Sequence, residues 1–144
     1  MIHNRSVPTA TMLAHVTCAD LPAAVAWLEI TLGFAEHFRY GDPVAGVQMH
    51  LGDAWIMLST VRAERGTPAQ LGKMTQSLTI VVPDVDQVFE RATAAGVPIV
   101  EELNETMYGE RQFVVADPDG HHWLIAQHVR DVAPQEWGAT SAST

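Results

Sequence analysis

The sequence predicts an α+β fold in which one β-α-β-β-β module occurs twice in tandem. A strand-like run, an aspartate and an amphipathic helix follow one another near the start of the chain, and the same order returns about 64 residues later. Further strand-like segments follow each helix, and turn-forming residues join the last two segments of each half.

The first module spans about residues 11–60 and begins with a strand from Met12 to Cys18. Asp20 supplies a helix N-cap, with Pro22 in the first turn. The helix has one apolar stripe at i, i+4, i+7 and i+11, formed by Leu21, Val25, Leu28 and Leu32. Gly33 is placed to end it. The strands that follow are Glu36 to Tyr40, Val47 to Leu51 and Ala54 to Thr60.

The second module spans about residues 76–130 and repeats this order. Leu78 to Val82 reads as a strand, Asp84 caps the next helix, and Gly96 ends it. The apolar residues of this helix are Val85, Val88, Phe89, Ala92 and Ala95. The strands that follow are Pro98 to Glu102, Gln112 to Ala116 and His122 to His128.

Turns and irregular segments complete the organisation. Leu51-Gly52-Asp53-Ala54 suits a two-residue hairpin, and Asp117-Pro118-Asp119-Gly120 suits a tight turn with a left-handed glycine. A polar connector of about residues 61–75 joins the modules, and residues 131–144 form a C-terminal tail. Because separate half-length domains would bury too little surface, we expect residues 1–144 to form a single domain.

The composition excludes several classes of function. With a formal net charge of −9 and only eight Lys and Arg residues, the chain lacks the clustered cations that bind nucleic acid. A cationic or neutral small molecule suits this charge better. No run approaches the roughly 18 apolar residues of a membrane span, so we expect a cytoplasmic protein without a membrane partner. Cys18 has no disulfide partner and is expected to be a small strand residue.

The second half contains the most specific motifs. Its penultimate strand is entered through Tyr108-Gly109-Glu110-Arg111-Gln112-Phe113, and its last strand follows Asp117-Pro118-Asp119-Gly120-His121. A doubled β-α-β-β-β chain with these motifs resembles the vicinal-oxygen-chelate superfamily, which contains glyoxalases, bleomycin-resistance proteins and dioxygenases. The resemblance covers about residues 11–130. It implies a cup-shaped mixed sheet with helices on the outside, and a homodimer.

Metal-dependent members of that family take one ligand from the first strand and one glutamate from the last strand of each module. The corresponding positions, counted from the helix caps and the hairpins, are Leu13, Ser77, Met57 and Leu124. None of these side chains suits a hard divalent cation. The resemblance therefore implies a protein without the usual metal, and we expect no cofactor.

The same positions predict which side chains line a cavity, because residues two apart on a strand share a face. Pairing across the first hairpin adds two residues of the preceding strand. The expected ligand-binding residues are His15, Gln48, His50, Trp55, Met57, Ser77, Thr79, His122 and Leu124. Such an apolar and aromatic lining with scattered hydrogen-bonding groups is typical of a small-molecule pocket.

Two residues near the expected mouth of the cavity complete this set. Tyr108 and Arg111 could hold a carboxylate or carbonyl of a ligand. Alternatively they lie on a solvated loop, with Arg111 paired to Glu110 or to an aspartate. The strand alternation also separates two tryptophans, so we expect Trp123 in the core and Trp55 facing the ligand.

The histidines leave three interpretations open. His15, His50 and His122 are structural strand residues, or they contact a flat ligand, or they form a relocated metal site. His15 or His50 could also serve as a general base.

The leading functional hypothesis is a metal-free protein that sequesters an aromatic or planar ligand such as an antibiotic, as in the bleomycin-resistance branch of the family. The alternative is an enzyme of the glyoxalase, isomerase or dioxygenase kind, which uses a relocated metal or a histidine base. A third hypothesis is a structural or regulatory dimer without a ligand.

Overall fold

The structure is a computed structural model that describes residues 2–142. It confirms the α+β class and the doubled β-α-β-β-β order. The strands are β1 (Ala14–Cys18), β2 (Ala35–Tyr40), β3 (Gly46–Leu51), β4 (Ala54–Thr60), β5 (Leu78–Val81), β6 (Ile99–Glu105), β7 (Glu110–Ala116) and β8 (His122–His128). The α-helices are α1 (Leu21–Trp27), α2 (Pro68–Leu71) and α3 (Val85–Ala94).

The chain divides into two compact units. The first contains the chain up to Thr75 together with the turn Asp117–His121. The second contains Gln76–Ala116 and the chain from His122 onward. Each unit has its own four-stranded mixed sheet, in the order β1-β4-β3-β2 in the first and β5-β8-β7-β6 in the second.

In the first unit, α1 begins where the sequence predicts. The Asp20 carboxylate accepts a hydrogen bond of 3.1 Å from the Ala23 amide. The helix continues as a π-helical turn over Leu28–Leu32, and Gly33 ends it with φ at 84°. One face of the sheet packs against α1. The core between them is Val16, Cys18, Leu21, Val25, Leu28, Leu32, Val47, Met49, Ile56 and Leu58.

The second unit is built in the same way. Asp84 caps α3 through a 3.1 Å hydrogen bond from the Gln87 amide, and Gly96 follows the helix with φ at 71°. The helix packs on β6, β7 and β8. The buried apolar residues of this unit are Ile80, Val85, Ala92, Val97, Phe113, Val114, Val115, Trp123, Ile125 and Ala126.

The two hairpins differ in length. In the first, Leu51 pairs directly with Ala54, so the turn has the two predicted residues. In the second, the last pair is Ala116 with His122, which leaves a turn of Asp117–His121. Gly120 in that turn has φ at 85°, and a side chain there would meet the Ala69 amide at 3.1 Å, so only glycine fits.

The connector contains a helix that the sequence did not predict. The helix α2 begins with a capping box, in which Thr67 and Gln70 bind each other's backbone amides at 3.2 and 3.0 Å. The Ala69 amide also donates to the Asp119 carbonyl at 2.9 Å. No helix within residues 2–142 is long and apolar enough to span a membrane.

Candidate functional site

The strand register places several predicted site residues on one face of the first sheet. His15 pairs with Met57, and Met57 pairs with Gln48 across the neighbouring strand. In the next row, His50 pairs with Trp55. Directly paired residues point to the same side of a sheet, and alternate residues on these strands face α1 instead. We call the side opposite α1 the distal face of the first sheet.

An aromatic cluster lies on the distal face around Trp55. The His50 ring stacks on the indole with 4.6 Å between centroids and 25° between planes. The His37 ring meets the indole edge-on at 5.4 Å and 77°. Both distances are typical of favourable aromatic pairs. Trp55 itself remains partly accessible, so the indole can still contact a ligand.

Gln48 organises the polar side of this cluster. It is only 2% exposed, and its Oε1 accepts a 2.7 Å hydrogen bond from His37 Nδ1. Its Nε2 donates to the Ser6 carbonyl at 3.4 Å. A carbonyl only accepts, which fixes the orientation of the amide and requires the proton of His37 to lie on Nδ1. A buried amide with both ends bound holds its partners in place.

A cavity of about 330 Å³ lies beside the cluster. Its walls come from two elements, the distal face and the N-terminal segment that crosses it. The lining residues are His3, Asn4, Arg5, Val7, Pro8, Thr9, His37 and Trp55. The volume is at the lower end of the range of small-molecule sites.

The sequence did not predict the N-terminal residues or His37 as part of this site. The N-terminal segment has no hydrophobic periodicity and forms no strand or helix, so pattern analysis gives it no position. His37 is the unpaired extra residue of a β-bulge between Glu36, which pairs with Met49, and Phe38, which pairs with Gln48. A bulge turns a side chain out of simple alternation. The signal available in the sequence was the pair of adjacent aromatic side chains, His37 and Phe38, within a predicted strand.

His15 and Met57 lie on the distal face but outside the cavity lining. His15 is exposed and Met57 is half-buried. His50 Nδ1 donates to the Gly52 carbonyl at 3.3 Å, so the hairpin orients its ring. Among residues 2–142, no group of three or more His, Cys, Asp or Glu side chains is arranged to hold a metal ion.

In the second unit, the face opposite α3 has a different lining. Leu124 pairs with Val114 and with Thr79, and His122 pairs with Ala116. Ser77 lies just before β5 and is exposed, as is Thr79. Met57 pairs with Gln48 in the first unit, and Ala126 pairs with Gln112 in the second, so the strand pairing makes Ala126 the counterpart of Met57. Counting along the sequence gave Leu124 instead. Neither assignment places a carboxylate at the family's ligand position, because Ala126 and Leu124 are both apolar.

Gln112 is the polar centre of that face, and Tyr108 contacts it. Gln112 is 6% exposed, and its Oε1 accepts a 3.4 Å hydrogen bond from the Tyr108 hydroxyl. The Tyr108 ring packs against Trp137 of the C-terminal 3-10 turn Pro134–Trp137, with 5.7 Å between centroids. Tyr108 is thus engaged by its own unit, and Trp137 anchors the tail.

Arg111 is paired with an aspartate, which is one of the two alternatives that the sequence left open. Its guanidinium forms an ion pair with Asp86 of α3, with hydrogen bonds of 2.8 and 3.2 Å. Arg111 pairs with Gln127, whose side chain accepts from the Val85 amide at the start of α3. Both side chains therefore face the helix. The ion pair lowers the pKa of Asp86, mainly through the hydrogen bond from Arg111.

The turn Asp117–His121 packs within the first unit beside Cys18. The Asp119 carboxylate, 7% exposed, accepts a 3.0 Å hydrogen bond from the Ala19 amide. His121 Nε2 donates to the Thr17 carbonyl at 2.7 Å. Burial raises the pKa of the Cys18 thiol, and the negative charges of Asp119 and Asp117 raise it further. Cys18 is therefore a buried neutral thiol, as the sequence predicts.

The fold and this site can now be compared with known proteins. A family model for the Glyoxalase/Bleomycin resistance protein/Dioxygenase superfamily matches residues 10–125. The crystal structure of TioX from Micromonospora sp. ML1 is similar at a TM-score of 0.71 and 27% identity, over 83% of this chain and 99% of that chain.

Two further structures share the fold at lower identity. The fosfomycin resistance protein FosX from Listeria monocytogenes has a TM-score of 0.65 at 15% identity, over 90% of this chain and 98% of that chain. Lactoylglutathione lyase from Agrobacterium tumefaciens has a TM-score of 0.63 at 21% identity, over 83% of this chain and 94% of that chain. At these identities the likeness shows the fold alone.

The curated relatives are longer than the matched region. The uncharacterized protein Mb0911c from Mycobacterium bovis is 43% identical over 77 residues, which cover 54% of this chain and 51% of that protein. The uncharacterized protein Rv0887c from Mycobacterium tuberculosis gives the same identity over 77 residues, 54% of this chain and 45% of that protein. The match thus spans about half the length of these relatives.

Proposed function

The chain belongs to the glyoxalase/bleomycin resistance protein/dioxygenase superfamily, and we propose that it is a metal-free binding protein that sequesters a planar aromatic small molecule. The ligand site is the distal face of the first sheet. The supporting observation is the aromatic cluster, in which a partly accessible Trp55 lies beside a cavity of about 330 Å³.

The cluster has the properties that a flat ligand requires. Trp55 has a large apolar face, and its orientation is fixed by His50 on one side and His37 on another. Because these rings are already packed, little side-chain entropy is lost when a ligand stacks on them. The buried amide of Gln48 holds His37 in position and adds directional polarity at the edge of the site.

The relatives support a ligand-handling role without specifying it. The neighbours include a fosfomycin resistance protein and a lactoylglutathione lyase, so the family contains both resistance proteins and enzymes. We favour binding over catalysis because the rings around Trp55 suit a flat ligand, whereas His50 Nδ1 donates to the Gly52 carbonyl and not to a carboxylate that would activate the ring as a base.

The experiment is a thermal-shift and tryptophan-fluorescence screen with aromatic antibiotics, comparing the natural protein with Trp55→Leu. A ligand at a hundred times its Kd should raise Tm by roughly 10 °C. Trp55→Leu should weaken binding by about threefold to tenfold, since one aromatic contact contributes about 0.5–1.5 kcal/mol. The matched control is Trp137→Leu, which removes a tryptophan in the second unit and should leave affinity unchanged.

The same samples test the enzymatic alternative. Chromatography of each bound compound after incubation, with and without added nickel, zinc, manganese or iron(II), detects turnover. Product formation that is abolished by His50→Ala or His15→Ala, with affinity retained, would replace the binding proposal by an enzymatic one. If no compound quenches fluorescence or raises Tm, the proposed function is wrong.

A further inference from the structure

We propose that the ligand bound at the Trp55 cavity carries an anionic group, such as a carboxylate, on its flat ring system. This inference rests on the proposed function and specifies the class of ligand. The cavity is lined by Arg5, which is always cationic, and by the polar side chains of His3, Asn4, Thr9 and His37, whereas no Asp or Glu is among its lining residues. Such a lining favours an anion beside the aromatic surface.

Arg5 is the strongest cation at the cavity, and its charge is not already neutralised. Within residues 2–142, its guanidinium forms no ion pair or hydrogen bond with the protein. By contrast, Arg39 binds Glu36 at 2.6 Å and Arg111 binds Asp86 at 2.8 Å. A guanidinium that borders a cavity with free donors can bind a carboxylate through two parallel hydrogen bonds.

His37 adds a second polar group, and its direction is fixed. Its Nδ1 donates to Gln48 at 2.7 Å, so Nε2 is the nitrogen left for a ligand. The ring lies 5.4 Å from Trp55, so a flat ligand stacked on the indole has His37 at its edge. The aromatic surface of Trp55 and the Arg5 guanidinium can therefore bind two different parts of one ligand.

The net charge of the chain, −9, leads to the opposite expectation of a cationic ligand. Net charge acts over long distances and is screened beyond about 8 Å at physiological salt. The groups that line the cavity interact with a ligand at hydrogen-bond distance, and dissolved salt screens such short contacts much less. Binding therefore follows the local chemistry of the cavity, and the negative surface elsewhere affects mainly the rate of encounter.

The test uses three probes with one ring system: naphthalene-2-carboxylate, naphthalene-2-carboxamide and 2-(aminomethyl)naphthalene, an anion, a neutral compound and a cation at pH 7. Affinities are measured by calorimetry for the natural protein, Arg5→Gln and Arg62→Gln. Arg62 is an exposed arginine of the same unit that does not line the cavity, so its variant has the same net charge as Arg5→Gln.

We expect the carboxylate to bind about tenfold more tightly than the amide, because its hydrogen bond to Arg5 is charge-assisted. The cation should bind least tightly. Arg5→Gln should remove most of this preference, because it weakens carboxylate binding much more than amide binding, whereas Arg62→Gln should retain the preference. Circular dichroism and Tm of both variants establish that they fold alike.

The two proposals fail in different ways. If the three probes bind the natural protein within twofold of one another, or the cation binds best, the anionic class is wrong and the aromatic site stands. If the carboxylate is preferred but Arg5→Gln and Arg62→Gln behave alike, the assignment to this cavity is wrong. If none of the probes binds, the proposed function fails together with the inference.

Discussion

Trp55 and Trp123 are each the second residue of the last strand of their module, yet they lie in opposite environments. Trp55 pairs with His50 on the distal face and is partly accessible. Trp123 pairs with Val115, packs on the side of α3 and is 1% exposed. The turn of the second hairpin is longer than that of the first, and this shift in pairing changes which face the tryptophan occupies. One tryptophan is thus available to a ligand, and the other belongs to the core.

The two modules also share a feature at the corresponding point of β3 and β7. Gln48 and Gln112 are buried polar residues, and each binds an aromatic residue, His37 in one unit and Tyr108 in the other. What differs is the next row on the sheet, which is His50 and Trp55 in the first unit but Val114 and Leu124 in the second. The repeated framework therefore carries an aromatic cluster on one sheet and an apolar pair on the other.

The largest expected effect is a difference in the free energy of unfolding that is lost when each of the two tryptophans is replaced. Trp123→Ala should destabilise the protein by about 3–5 kcal/mol, because it opens a cavity in a closed core. Trp55→Ala should cost about 1 kcal/mol, since its ring is already partly in contact with solvent. Urea unfolding followed by circular dichroism measures both values. Equal losses would contradict the difference in environment.

The second prediction concerns the turns that cause this difference. Asp119→Ala should cost about 1 kcal/mol, because the part-buried 3.0 Å hydrogen bond from the Ala19 amide is lost. Asp53→Ala, in the exposed turn of the first hairpin, is the matched control and should change the free energy of unfolding by less than about 0.5 kcal/mol. The same urea titrations apply. If Asp119→Ala left the free energy of unfolding unchanged, the longer turn would not stabilise the first unit.

The third prediction compares the two buried glutamines by ligand affinity. Gln48→Leu removes the acceptor of His37 and the donor to Ser6, so binding of naphthalene-2-carboxylate should weaken by about fivefold to tenfold. Gln112→Leu should leave the affinity within about twofold. Calorimetry on both variants provides the comparison. If Gln112→Leu weakens binding more, the ligand site lies in the second unit.

The smallest expected effect is the pH response of Cys18. Its pKa is raised in the folded protein, by burial first and then by Asp119 and Asp117. The neutral thiol therefore stabilises the fold fully below the unfolded pKa of about 8.5, and this contribution declines as the pH rises above it. Between pH 7 and 9, labelling by iodoacetamide should accelerate in urea but stay slow in the native protein. Rapid native labelling at pH 9 would contradict a buried thiol.

Much of the fold could be predicted from the sequence because its signals are local. Asp20 and Asp84 cap their helices as expected, and the strands of Ala54–Thr60 and His122–His128 have the predicted bounds. The alternation of side chains between the two faces of β4 and β8 also predicted that Trp55 and Trp123 lie in different environments. These features depend on neighbours in sequence, which a pattern records directly.

The composition of the site was predicted less completely, because its remaining residues depend on contacts between distant parts of the chain. Arg5 and Ser6 reach the sheet through a segment without periodicity, and His37 is displaced by a bulge. For Arg111 the sequence left a ligand contact and pairing with a carboxylate both open, and the structure pairs it with Asp86 on α3. Neither the path of a loop nor the choice of an ion-pair partner follows from strand alternation.

The most direct test of a ligand site at Trp55 is a titration monitored by the indole N–H signals of the four tryptophans in ¹H–¹⁵N NMR spectra. Single Trp→Phe variants assign the signals, and naphthalene-2-carboxylate is the probe. We expect the Trp55 signal to shift progressively and saturate, while the signals of Trp27, Trp123 and Trp137 move little. A saturating shift of Trp137 with an unmoved Trp55 would contradict it, because the ligand would then bind beside Tyr108 in the second unit.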